Sequence, residues 1–182
     1  MKSIKKISLV LVCLVMISSC KKETSTPAAD PTPTPTPTVN GSITAKLNGA
    51  SWVSIRNTGA LQIDTDNDIS ALVLNGETAG DIFALGIDFP TASLNIAVGN
   101  HDYGLTKDDA IMTYTKKTSG GGTLTQHFPD EGTFNITSVD NTNKKVSGTF
   151  SFKMHKVGSS ASADSIIVTN GVFTNISYVV LQ

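Results

Sequence analysis

The chain has 182 residues, 14 of them Lys or Arg and 15 Asp or Glu, for a formal net charge of −1. Over residues 39–182 the balance is nine basic against thirteen acidic side chains, a net of −4, which argues against a nucleic-acid partner because phosphate binding needs a basic surface. The two cysteines, Cys13 and Cys20, both stand near the amino terminus, so the rest of the chain holds neither a disulfide nor a thiolate metal site and is stabilised by burial alone.

Lys2, Lys5 and Lys6 precede residues 7–17, an apolar run broken only by Ser8. Charge followed by apolar residues is the order of a secretory signal, and as a helix these eleven residues span only about 17 Å, short of a ~30 Å hydrocarbon core. The run ends in Ile17, Ser18, Ser19 and Cys20, which resembles the lipobox of bacterial lipoproteins. That resemblance implies a thioether from Cys20 to diacylglycerol, cleavage between Ser19 and Cys20, and acylation of the new amine with a fatty chain such as palmitate. Lys21 in place of Asp implies transfer to the outer membrane and leaves the leaflet open. Two or more acyl chains hold a protein stably, at about 0.8 kcal/mol per buried methylene. Residues 1–19 therefore read as a signal peptide, and the mature chain is expected on a membrane without spanning it.

Residues 20–38 read as the lipidated cysteine and a linker. Pro27, Pro31, Pro33, Pro35 and Pro37 alternate mostly with Thr and no large apolar side chain intervenes, which gives an extended spacer reaching up to ~56 Å over eighteen residues. Its threonines, and Ser165 within Asp164-Ser165-Ile166, are candidate O-glycosylation positions by resemblance to acceptor motifs of some periplasmic systems.

Residues 39–182 keep one composition and form one domain. Ile43, Ala45 and Leu47 alternate up to Asn48-Gly49, a hairpin signal, and a run from Trp52 to Ile55 follows. Leu61 and Ile63 lead to an acidic turn, and residues 69–74 run into a second Asn-Gly at Asn75-Gly76. Residues 82–87 are apolar on both faces, as a central strand would be. After Pro90, residues 91–98 offer the one place for a turn of helix. Residues 111–115 and 124–128 are short strands. Residues 133–139 put Phe134 and Ile136 on one side and Val139 out of phase, which predicts a bulge near Ser138. Residues 140–143 supply turn chemistry, and residues 145–155 alternate for five steps, burying Val146, Gly148, Phe150, Phe152 and Met154. Strands over residues 166–168 and 172–180 complete about ten. This pattern predicts an all-β domain, a single antiparallel β-sandwich or partly open barrel.

Residues 41–52 (GSITAKLNGASW), 132–139, the VSGTFSF stretch at 146–152 and Asn170-Gly171-Val172-Phe173 resemble an uncharacterised family of Bacteroidota lipoproteins carrying a domain of unknown function, domain of unknown function 6252. The resemblance implies an envelope location and a β fold. It carries no activity and no functional residues.

Chemistry is sparse. Asp64, Asp66 and Asp68 have the opening spacing of a calcium loop, but Ile69 and Asn75 stand where an EF-hand needs Gly and Glu; weak calcium binding, aided by Glu77 or Asp81, competes with a solvated turn. His101, His127 and His155 lack the spacing of zinc ligands. There is no GxSxG elbow, and Gly120-Gly121-Gly122 opens no helix that would cradle a phosphate. Asp102, Asp108, Asp109, Asp130 and Glu131 are candidates for a glycosidase-like carboxylate pair. Trp52, Tyr103 and Tyr114 are the aromatics on which a saccharide would stack, against a competing role in the core. The expectation is a membrane-anchored binding or interaction module for a glycan or protein ligand, without catalysis or cofactor. A polymer hydrolase acting through a carboxylate pair and a calcium-stabilised structural protein are the alternatives.

Overall fold

A computed structural model describes residues 41–104, 107–108, 110–116, 124–158 and 164–182. The signal, Cys20, the linker, Asp109 and Gly120-Gly121-Gly122 lie outside the described residues. Twelve strands are present: β1 (Ser42–Leu47), β2 (Ala50–Val53), β3 (Arg56–Asp64), β4 (Ile69–Glu77), β5 (Asp81–Phe89), β6 (Gly99–Gly104), β7 (Lys107–Asp108), β8 (Ala110–Lys116), β9 (Thr125–Asp140), β10 (Lys145–Lys156), β11 (Ser165–Ser177) and β12 (Val179–Leu181). Among the described residues there is no helix.

Ten strands form one curled sheet in the order β12-β3-β4-β5-β8-β9-β10-β11-β1-β2, while β6 and β7 hang from β9. Of the two closures expected, the half-barrel is the one formed, and among the described residues there is no second sheet to make a sandwich. One core runs inside the curl. It is built from alternate residues of each strand, among them Leu61, Leu72, Phe83, Leu85, Met112, Phe134, Ile136 and Phe173.

Two stretches of chain draw the margins of the sheet together. β11 lies against β10; the chain then passes Tyr178, whose N–H donates to the Lys144 carbonyl at 2.9 Å, and continues as β12 on β3. β12 runs parallel to β3, the one parallel pairing among the described residues, because it keeps the direction of β11 as it crosses. The sequence reads residues 172–180 as one strand and does not show the crossing. At the other margin the β1–β2 hairpin feeds directly into β3. The Ile43 N–H donates to the buried Ser54 hydroxyl at 3.0 Å and the Ser54 N–H returns a bond to the Ile43 carbonyl at 2.9 Å. Asn57, also buried, donates from Nδ2 to the Gly41 carbonyl at 3.1 Å.

Local signals succeed where strand parity or turn chemistry is unambiguous. Asn48 and Gly49 take φ of 48° and 86°, as a tight hairpin turn requires. β10 buries its five alternate residues as expected. The bulge in β9 falls at Thr137, one residue from the expected place, since Ser147 pairs with Ser138 and Gly148 with Ile136.

Other signals yield to packing. Asn75-Gly76 is not a turn. It lies within β4, and Gly76 is small because Trp52 and Ile43 cover it, so that a Cβ there would come 3.0 Å from Cη2 of Trp52. The turn comes later, where the Thr78 hydroxyl accepts from the N–H groups of Gly80 and Asp81. β5 alternates, burying Phe83, Leu85, Ile87 and Phe89, although residues 82–87 read as apolar on both faces. Residues 91–98 form no helix. They strap the core, with Ile96 buried, the Ser70 hydroxyl donating to the Thr91 carbonyl and the Ala92 N–H donating to Asp68. The runs at 124–128 and 133–139 are one strand of 16 residues, and its first part turns His127 inward and leaves Leu124 and Phe128 exposed.

Three glycines of the resemblance motifs share one role. Gly132 pairs with Phe152, Gly148 with Phe173 and Gly171 with Phe150 across neighbouring strands, and in each pair the Phe ring lies over the bare Cα. A Cβ at Gly148 would run into the Phe173 ring and the Asn135 carbonyl oxygen. Gly148→Ala is therefore expected to lower stability by about 2–3 kcal/mol, whereas Gly80→Ala, with open space around its Cβ, stays within about 0.5 kcal/mol of the parent. Urea unfolding of both variants checks the contrast, and equal effects would contradict this packing scheme.

Candidate functional site

The aromatic residues expected to form a platform are used inside the domain. The β1–β2 register sets Trp52 opposite Ala45 on the inner face, where it is 6% exposed and edge-on to Phe83 at 4.4 Å between ring centroids. Phe83 lies 5.0 Å from Tyr114, and Tyr114 lies 5.6 Å from His127. Trp52 and Tyr114 thus belong to an internal row of rings, while Tyr103 sits half-buried on β6. A stacked sugar needs an open ring face. Neither Trp52 nor Tyr114 offers one, and the three residues make no common exposed surface. The physical reason is parity: both side chains sit on the inward alternate of their strands, β2 and β8.

The Asp64, Asp66 and Asp68 turn closes on itself. Oδ1 of Asp64 accepts from the N–H groups of Asp66 at 3.1 Å and Asn67 at 3.0 Å, and Oδ2 accepts from Asn67 Nδ2 at 2.7 Å. Asp68 adopts φ 52° and its Oδ1 accepts from the Ala92 N–H. The β9–β10 turn repeats this pattern without the extra acids. Asp140 Oδ1 accepts from Thr142 and Asn143, its Oδ2 accepts from Asn143 Nδ2, and Lys144 takes φ 53° in the place of Asp68. An Asp, an Asn three residues on and a left-handed fifth residue suffice for the loop, so a metal is not what shapes it. Glu77 and Asp81 are no help to a cation here, since Glu77 ends β4 at roughly 25 Å along the strand from the turn. Among the described residues no group of three or more His, Cys, Asp or Glu side chains is arranged to hold a metal ion.

The histidines are dispersed as well. His101 packs edge-on against Phe89 on β6. His155 faces outward on β10 with Nδ1 2.6 Å from Asp130 Oδ1, a close pair that is misaligned for a hydrogen bond. Lys153 and Glu131 stand 3.7 Å apart, and Lys156 and Asp164 stand 3.6 Å apart. Of the five acids raised for a carboxylate pair, Asp130 and Glu131 thus each face a basic partner on β10, Asp102 and Asp108 lie on β6 and β7, and Asp109 lies outside the described residues. Ser165 starts β11 directly opposite His155. Asp130 is itself the extra residue of a second bulge in β9, where Lys153 pairs with Glu131 and Met154 with Pro129. Sequence reading missed this bulge, although a proline within a strand is the signal that marks one.

The most enclosed of these polar groups is His127. It is 6% exposed, its ring donates to the Tyr114 backbone carbonyl, and its Nδ1 has no partner among the described residues. Burial holds its pKa below 6.5. Burial also raises that of Tyr114, whose hydroxyl bonds Asp81.

A family profile described as a domain of unknown function (DUF6252) matches residues 39–177. The chain belongs to this family. The DUF6252 match runs through the end of β11, so the glycine–phenylalanine pairs and both Asp-x-x-Asn turns lie inside it. No protein of curated function and no solved structure matches the chain.

The turns generate a paired expectation. Hydrogen bonds from Asn67, with those from Asp66, hold the Asp64 carboxyl below 3.8, and those from Asn143 and Thr142 do the same for Asp140. The unfolded chain then binds more protons as pH falls. The stabilisation is present above the ordinary carboxylate range and is lost as pH drops through the depressed values. Asp64→Asn and Asp140→Asn should each lower the urea midpoint at pH 7 and flatten its decline below pH 4, while Asp66→Ala and added calcium or chelator leave the midpoint unchanged. A calcium-dependent rise in melting temperature that Asp66→Ala abolishes would restore the metal reading.

Proposed function

We propose that the protein is a lipid-anchored component of the bacterial cell envelope whose DUF6252 domain serves as a non-catalytic binding or interaction module at the outer membrane. The observation that carries this reading is the succession of a basic segment, an apolar run of eleven residues, Ile17-Ser18-Ser19-Cys20 and a proline–threonine spacer, all in register ahead of one β domain. Support also comes from how the domain uses its chemistry. Trp52 and Tyr114, two of the three aromatic residues suited to ligand stacking, are taken up by the core, and the acids at the β3–β4 turn by turn closure. Recognition then falls to the outer face of the sheet, where Thr133 and Ser151 of β9 and β10 bond each other at 3.0 Å and Thr44 and Thr149 flank the half-exposed Val172.

Labelled palmitate should enter the protein in the native host, and the protein should fractionate with membranes. Cys20→Ala should be unlabelled and soluble, with an unchanged far-ultraviolet spectrum, since residues 39–182 hold no cysteine that could bridge to Cys20. A Cys20→Ala protein that stays on the membrane would sink the anchor. A glycan array and an envelope pull-down that both return nothing would count against the binding role.

A further inference from the structure

His127 lies near the start of β9, just ahead of a proline and a bulge. Residues 125–128 open β9 and are held by two short ladders. On β8 the pairs are Tyr114 with His127, Thr115 with Gln126 and Lys116 with Thr125; on β10 they are His155 with Phe128 and Lys156 with His127, beyond which the Val157 N–H donates to the Gln126 carbonyl at 2.9 Å. Immediately after them come Pro129, which has no N–H to give a ladder although it still sits opposite Met154, and the bulged Asp130, so the regular ladder of β9 is interrupted there. Its outer face carries Phe128, 40% exposed, in place of a packed neighbour.

The charges around His127 do not supply what a proton on its Nδ1 would need. β8 offers the Tyr114 ring and a carbonyl that already accepts from the other ring nitrogen. The Tyr114 hydroxyl beyond it is bonded to Asp81 of β5. From β10 come Lys156 and His155, both of which oppose a second positive charge, and from the head of β11 comes Asp164, which favours one but is already 3.6 Å from Lys156. Asp130 faces His155 instead. A protonated His127 in the closed barrel is thus a buried cation with an N–H and no acceptor among the described residues, an arrangement relieved by exposing the ring to water.

We propose that the β8–β9–β10 corner around His127 is an acid-sensitive latch, in which protonation of His127 releases residues 125–128 from β8 while the rest of the half-barrel stays folded. Where only the open form takes the proton, the opening equilibrium grows as one plus ten to the power (6.5 − pH), roughly thirtyfold at pH 5. Opening stays local because Pro129 and the bulge interrupt the cooperative ladder.

Native-state hydrogen exchange of the full chain at pH 7.5 and 5.0, corrected for intrinsic rates, tests this. Protection of the amides in residues 113–116 and 125–128 should fall by up to about thirtyfold at the lower pH, with β4, β5 and β11 unchanged. His127→Gln should remove this pH dependence and His155→Gln should preserve it. Unchanged protection, a uniform loss across the domain, or a loss that persists in His127→Gln would overturn the proposal. Should His127→Gln fail to fold, the ring resonances of His127 in the parent chain decide. Titration below 6.5 in step with the opening of residues 125–128 supports the latch, and titration at the free-histidine value, or without that opening, refutes it.

Discussion

Everything in this domain depends on bringing together two margins of one sheet. A ten-strand sheet with a single apolar face has no second layer to cover it, so it must curl until its own face is enclosed. The run from Ser165 to Leu181 achieves this at one end by serving β10 first and β3 afterwards. The β1–β2 hairpin fills the remaining wedge and is tied in by buried polar side chains, Ser54 and Asn57, bonded to the backbone of β1 and of the residue preceding it. A buried hydroxyl or amide is costly without a partner and specific with one, so these bonds set the alignment of the margins as well as closing them.

Curling a sheet tightly also crowds its inner face. The domain answers by setting Phe against Gly across three strand pairs, so that each ring uses the space a Cβ would have taken. The left-handed residues Asn170 and Asn175 lie where the register of β11 shifts, adding local bend there. The recurring Gly and Asn-Gly motifs of the DUF6252 sequence are thus motifs of curvature and packing. They account for the fold of this domain without assigning it chemistry.

The same economy governs the polar residues. Asp64 and Asp140 close turns, and three acids face basic partners on β10. His127 is drawn inward by strand parity into a row of aromatic rings, with Nδ1 among the buried polar atoms that lack a partner among the described residues. A buried histidine next to a short ladder is where a fall in pH would be felt first.

The sequence alone determined the all-β class, the hairpins at Asn48-Gly49 and residues 140–143, the inward face of β10 and the bulge in β9, because each rests on alternation or turn chemistry within a dozen residues. It also carried the whole case for the anchor at Cys20. Tertiary structure decided what depends on residues far apart in the chain. Gly76 is small because Trp52 lies on it, not because a turn is there, and Trp52 and Tyr114 are core residues because Phe83 fills the space between them. The parallel β12–β3 pair and the strand β6 were invisible for the same reason, since pairing partners are chosen by how the sheet closes. The calcium-like spacing at Asp64 belongs to a self-closed turn, and Trp52 and Tyr114 pack inside, because spacing along a strand says only which residue types are near one another. Only the curl of the sheet says which way they face and what already covers them.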